Sequence, residues 1–174
     1  MAGMAMFLCA ACDSNQKPTP RLDAKKDTVA NIVVSDDGSK ILIPFRRNEG
    51  ELAEVQISLN GVPFNMWWDT GCSITSISAL ELLKMAKEGK IKDRDLVGKI
   101  ETMIADGSTT QELVVNIKQV YIAGQDSEHY LVLDDIMVSV SASEDAPSLI
   151  GQNIIQKLPK HSFNEDTGTI EFEI

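Results

Sequence analysis

Cysteine is scarce in this chain: Cys9, Cys12 and Cys72 are the only three among 174 residues. Cys9 and Cys12 are spaced C-x-x-C, but no second pair of ligands stands at metal-binding spacing, so no metal site is expected. Basic residues are outnumbered, with Lys+Arg 16 against Asp+Glu 26 and a formal net charge of −10. Nucleic acid is excluded as an expected partner, because phosphate contacts depend on clustered cations. No apolar run is long enough to cross a bilayer. No repeat array is present. Ser148 lacks a G-x-S-x-G context, and nothing ties His129 or His161 to Cys72, so serine and cysteine hydrolase chemistry find no support. The acidic pairs Asp36-Asp37, Asp134-Asp135 and Glu144-Asp145 have no ligand spacing and read as solvated surface. What remains is an acidic chain, 43% hydrophobic, long enough to bury a core as one domain without staples. No cofactor is implied.

The first twelve residues, MAGMAMFLCAAC, carry no charged side chain and read as the end of a signal segment. Their ending, LCAAC, resembles a bacterial lipobox, in which the last cysteine is lipidated after cleavage. Leu8 stands one residue further from Cys12 than that pattern usually has it. Cys12 is therefore the expected lipidation site. The resemblance implies a protein held outside the cytoplasm, at the periplasm or cell envelope, with this anchor as its one link to a membrane. Residues 13–38 are polar, contain Lys17-Pro18-Thr19-Pro20 and Asp36-Asp37-Gly38, and read as a flexible tether. The folded domain is expected over 39–174.

Within that domain the dominant period is two. Val55, Ile57 and Leu59 alternate with polar residues. Asn60-Gly61 follows, and Val62, Phe64 and Met66 alternate again, a strong hairpin signal. Ser78–Gly89 predicts the main helix, with Ser78 and Glu81 as a capping box, Ile77 and Leu82 as a staple, and Ala79, Leu82, Leu83 and Ala86 as its apolar face. Ile100–Ala105 and Leu113–Ile117 predict a second hairpin around Asp106-Gly107-Ser108-Thr109. Short strands are expected at Val120–Ala123, Tyr130–Leu133 and Ile136–Val140. An apolar run, Ser148–Gly151, precedes a helical turn over Asn153–Leu158. Ser162–Asn164 and Thr169–Ile174 predict a closing hairpin. Many short strands with one substantial helix argue for an all-β fold, a small closed barrel or sandwich.

The segment Met66–Ile74, MWWDTGCSI, drives an apolar strand into a carboxylate and a tight turn. Burying a carboxylate is costly, and that cost is usually met where the acid has chemistry to perform. WWDTGCS resembles the active-site turn of retropepsin-like aspartic proteases: two apolar residues, Asp-Thr-Gly, a small residue, then Ser. Three further features fall in that family's order. The hairpin around Asp106-Gly107 stands at the flap, SLIGQNIIQKL resembles the second apolar-apolar-Gly turn with its short helix, and HSFNEDTGTIEFEI resembles the terminal strands. The likeness covers about residues 40–174 and is nearest to the bacterial branch, whose members often follow a secretion signal.

The resemblance implies a closed barrel with a flap, and hydrolysis of peptide bonds by water activated between two carboxylates that share one proton. Asp69 would be the catalytic acid/base. Thr70 would tie two turns together, Gly71 would direct its N–H toward the carboxylates, and Ser73 would hydrogen-bond the outer carboxylate oxygen. Ala105, Asp106, Gly107 and Ser108 would form the substrate-binding flap. Cys72, where the family more often has Ala, reads as packing. Strand alternation sends Trp67 and Trp68 to opposite faces. Asp166-Thr167-Gly168 repeats the tripeptide, but HSFNE is no apolar strand and the segment reads as a surface turn. The second acid is therefore expected from another copy, since a two-fold dimer places identical residues across its axis. Two other readings stand beside this one. The fold could bind peptides or serve assembly without turnover, or the insertion around Lys87–Lys99 could block dimerisation.

Overall fold

The computed structural model describes residues 31–33, 40–47, 50–103, 107–126 and 128–173. Its strands are β1 (Asn31–Val33), β2 (Ile41–Arg46), β3 (Glu54–Leu59), β4 (Val62–Trp68), β5 (Ser76–Ser78), β6 (Leu96–Met103), β7 (Thr109–Ala123), β8 (Tyr130–Ser141), β9 (Leu149–Ile150), β10 (His161–Asn164) and β11 (Thr169–Phe172). Helix α1 (Ala79–Lys87) follows β5, and α2 (Gln152–Ile155) follows β9. A 3-10 turn, Asp93–Asp95, precedes β6.

Hydrogen bonding runs β10-β11-β2-β3-β4-β9-β5-β8-β7-β6, and β7 pairs back onto β3. That last pairing closes β3-β4-β9-β5-β8-β7 into a ring, the all-β closed barrel the sequence predicts. Closure gives each of those six strands a partner on both sides over part of its length. The ring is filled by alternation. β4 buries Val62, Phe64, Met66 and Trp68 and exposes the residues between them, while β3 contributes Val55, Ile57 and Leu59. Each such burial contributes about 2 kcal/mol, and a one-residue slip would turn the whole set outward. The β3–β4 turn needs left-handed backbone at both central positions, and Asn60 (φ 50°) and Gly61 (φ 84°) supply it.

Helix α1 starts where the capping box places it. The Ser78 hydroxyl accepts from the Glu81 N–H at 3.2 Å, and the Glu81 carboxylate accepts from the Ser78 N–H at 2.8 Å. Its buried face differs from the expected one. Met85 is the side chain at 0% exposure and Leu82 packs beside the core, whereas Leu83 is 52% exposed and Ala86 also faces solvent. The helix leaves β5 with no intervening loop, so the strand and the cap fix its rotation, and counting apolar residues misjudges the phase.

Two strands are longer than expected. Leu113–Ile117 and Val120–Ala123 are parts of one β7, and Tyr130–Leu133 and Ile136–Val140 are parts of one β8. The polar residues that suggested breaks face each other across the ladder: Gln119 pairs with Asp134, and Lys118 meets Asp135 at 3.3 Å. Asn31–Val33, within the segment expected as tether, forms β1 antiparallel to β8. A β-branched run too short to stand alone holds there because β8 offers an edge. Helix α2 begins one residue earlier than predicted. Asp166-Thr167-Gly168 is the exposed turn between β10 and β11, with Gly168 at φ 64°.

Candidate active site

Asp69 stands where β4 runs out. Trp67 and Trp68 pair in parallel with Leu149 and Ile150 of β9. The Asp69 N–H then donates to the Ile150 carbonyl at 3.0 Å. The chain turns at once, with the Cys72 N–H on the Asp69 carbonyl at 3.3 Å. The Gly71 N–H donates to Asp69 Oδ1 at 2.8 Å. The residue is 8% exposed, and among the described residues no cation pairs with its carboxylate.

The turn is held from behind by the β9–α2 junction. The first donors of α2 have no side-chain cap. The Gln152 N–H goes instead to the Cys72 carbonyl at 2.8 Å, and the Asn153 N–H to the Ser73 carbonyl at 3.2 Å, so loop and helix satisfy each other's orphan groups. Asn153 adds a side-chain bridge. Its Oδ1 accepts from the Thr75 N–H at 2.7 Å and the Thr75 hydroxyl at 2.8 Å, and its Nδ2 donates to the Met137 carbonyl at 2.7 Å. Thr75 Oγ1 in turn accepts from the Gly151 N–H at 3.0 Å. Asn153→Ala should therefore lower stability by about 2–3 kcal/mol, since it strands the buried Thr75 groups; urea unfolding measures this, and a loss under about 0.5 kcal/mol would rule the bridge out as a support.

Thr70 is exposed, and its carbonyl accepts from Gln152 Nε2 at 2.8 Å. Ser73 is also exposed, and among the described residues no hydrogen bond joins its hydroxyl to Asp69. The N–H of Gly71 is what touches the carboxylate. Cys72 is 2% exposed and directs its thiol to the Ile74 carbonyl at 3.0 Å. Trp68 is buried against His161, Phe163 and Phe172, with ring centroids 5.2, 5.9 and 6.4 Å away. Trp67 is 38% exposed on the opposite face. His129 pairs with Asp126, far from Cys72 in the chain. The His129 N–H first, and then its ring nitrogen, hold the Asp126 carboxyl below its ordinary range. β6 and β7 form the hairpin in the flap position, with Gly107 (φ 83°) and Ser108 leading into β7. Ala105, Asp106 and Cys12 lie outside the described residues.

Sequence reasoning passed over the Thr75–Asn153 pair. It also missed a second brace. Ser148 Oγ donates to the Glu81 carboxylate, while the Ser148 carbonyl accepts from the Trp67 N–H at 2.9 Å. The available signal for the first was Asn153, a polar residue two positions after the apolar-apolar-Gly turn, where a helix start needs partners.

A carboxylate on the rim of a closed barrel, held by its own Asp-Thr-Gly turn and backed by a second apolar-apolar-Gly turn, defines an aspartic-protease-type protein. The family described as gag-polyprotein putative aspartyl protease matches residues 55–157, more than half of the chain, and the chain belongs to that family. Among solved structures it is similar to a retropepsin-like aspartic protease from Rickettsia conorii, with a TM-score of 0.53 and 14% identity over 82% of this chain and 93% of that one. That likeness is one of fold. No curated protein matches the chain.

Proposed function

We propose that the protein is an aspartic endopeptidase whose active site is assembled from two copies of the chain. The observation that carries this is the state of Asp69: nearly buried, bound by the Gly71 N–H, and unmatched by any described cation. Asp166, in the other Asp-Thr-Gly, is turned to solvent between β10 and β11. A two-fold axis would bring the partner's Asp69 opposite this one. Like charges held close cannot both ionise easily, so the pair keeps one proton. The ionised carboxylate then takes a proton from water as that water attacks the scissile carbonyl, and the protonated one polarises the carbonyl oxygen. The two acids titrate as a unit. In this reading the Thr70 hydroxyl, exposed beside the turn, joins the two copies. The Ser73 hydroxyl approaches the outer carboxylate oxygen once they meet, and the β6–β7 hairpin closes over the peptide. The reading extends to location: an extracytoplasmic protein with lipid on Cys12.

The test is cleavage of a diverse peptide library by the full chain between mildly acidic and neutral pH, over a dilution series. Specific activity should fall as the protein is diluted, because dimers dissociate. Cleavage whose specific activity is independent of concentration would remove the two-copy site. A folded, dimeric protein that cuts nothing would favour peptide binding without turnover.

A further inference from the structure

The turn after Asp69 contains a peptide that can point two ways. The Cys72 N–H meets the Asp69 carbonyl at 3.3 Å, so Asp69, Thr70, Gly71 and Cys72 make one β-turn. Its central peptide joins Thr70 to Gly71. The N–H of that peptide is the group that reaches Asp69 Oδ1, at 2.8 Å. Flipping the central peptide of a β-turn interconverts its type I and type II forms. The flip would carry the N–H away from the carboxylate.

Most residues at the third position of the turn resist that flip, because the type II form needs a positive φ there. Glycine does not resist it. Gly71 itself does not take a positive φ, so the turn is not in its type II form. The turn's own sequence leaves both orientations of the peptide open, and a contact from outside the turn selects between them.

Gln152 supplies that contact. The other end of the same peptide, the Thr70 carbonyl, accepts from Gln152 Nε2 at 2.8 Å. The Gln152 N–H donates to the Cys72 carbonyl, also at 2.8 Å. One residue thus grips the turn on both sides of Gly71, by its side chain before and its backbone after. Water would satisfy the exposed Thr70 carbonyl equally well, but it arrives from any direction and fixes no orientation. The Gln152 amide is anchored through its own backbone and approaches from one side. A bond to the carbonyl also polarises the N–H of the same peptide, which strengthens that N–H as a donor.

We propose that Gln152 is a positioning residue of the active-site turn: its side-chain amide holds the Thr70–Gly71 peptide in the orientation that points the Gly71 N–H at Asp69. It acts through that peptide and not on the substrate. Its consequence for catalysis rests on the aspartic-protease reading, whereas the hold on the peptide does not.

The experiment follows amide hydrogen exchange by NMR in the full chain at neutral pH, with Gln152→Ala and Gln152→Glu beside the unsubstituted protein. Glutamate keeps the length and shape of glutamine, but its ionised carboxylate has no proton to donate. It also suits the first turn of a helix, so a weakened α2 would not account for a loss in that variant. The Gly71 amide should exchange slowly in the unsubstituted chain. In both variants it should exchange about five- to tenfold faster, the scale that one ordinary hydrogen bond sets. The Thr75 N–H, held by Asn153 at 2.7 Å, should keep its protection. In peptide cleavage, kcat should fall by about tenfold or more with KM little changed, as expected when a catalytic group is misplaced. Fast exchange at Gly71 in the unsubstituted chain overturns the proposal. So does retained protection in Gln152→Glu, or equal loss at Gly71 and Thr75, which would make Gln152 a general prop of the loop. Unchanged kcat in a variant whose Gly71 exchanges fast removes the catalytic role. If Gly71 loosens as expected and no form cuts peptide, the hold on the turn stands and the cleavage reading falls.

Discussion

Asp69→Asn should leave the chain folded and lower peptide cleavage by about a thousandfold or more, within the range that positioned acid–base groups contribute. Asparagine keeps an oxygen for the Gly71 N–H, which now reaches Asp69 Oδ1 at 2.8 Å, so the turn should survive while the proton site is lost. Mixing sharpens the test. If subunits exchange freely, an equal mixture with unsubstituted chain leaves only about a quarter of dimers with both acids. Activity should fall toward that fraction. A fall only to about half, as simple dilution would give, would place the whole site within one chain. If two copies of Asp69 share one proton, as proposed, the pH profile is two-sided. Rate should be lost on the acid side, where no ionised base remains, and on the alkaline side, where no protonated acid remains. A profile that stays flat through the upper limb would contradict a two-carboxylate site.

Gly151→Ala should cost about 3 kcal/mol or more, one of the largest losses available to a single methyl group. A Cβ at this position would lie 2.6 Å from the Ile74 carbonyl carbon, 2.7 Å from the Thr75 nitrogen and 3.0 Å from the Cys72 carbonyl oxygen. All three are backbone atoms of the segment after Asp69, so no side chain can swing aside. Relief requires moving either that segment or the start of α2, and both are tied to Asn153. Urea unfolding should show a lower midpoint, together with lost cleavage even where the protein remains folded. Wild-type stability in this variant would mean that the two turns are looser than their contacts indicate.

The sequence was most informative where local chemistry alone determines structure. Asn60-Gly61 offers few alternatives once alternating strands flank it, and Ser78 with Glu81 marks a helix start with no help from the fold. Asp69 was visible because a carboxylate after two tryptophans is anomalous. Legibility failed where partners come from elsewhere. Lys118-Gln119 and Asp134-Asp135 look like loops until they are set opposite each other in β7 and β8. Asn31–Val33 becomes a strand only because β8 has an edge to give. Met85, rather than Leu83, is buried because β5 dictates how α1 is rotated. The role of Asn153 depends on Thr75, 78 residues away, a separation that no short-range pattern conveys. Ser73 illustrates the converse. Its motif position is clear, but within one copy its hydroxyl does not meet Asp69, so its role rests on the proposed second copy.

The pairing that closes the ring bears on how the chain folds in time. Ser58 and Leu59 meet Tyr121 and Val120 across about sixty residues of intervening chain. The β3–β4 and β7–β8 hairpins can each form locally, but neither can shed its exposed edge until that distant contact is made. Loop-closure entropy is lost before the contact returns anything, so folding should be slow for a chain of this size. During that delay β3 is open to pairing with a neighbouring chain. If the active site is assembled from two copies, as proposed, the chain passes through a stage in which meeting a second copy too early is a hazard.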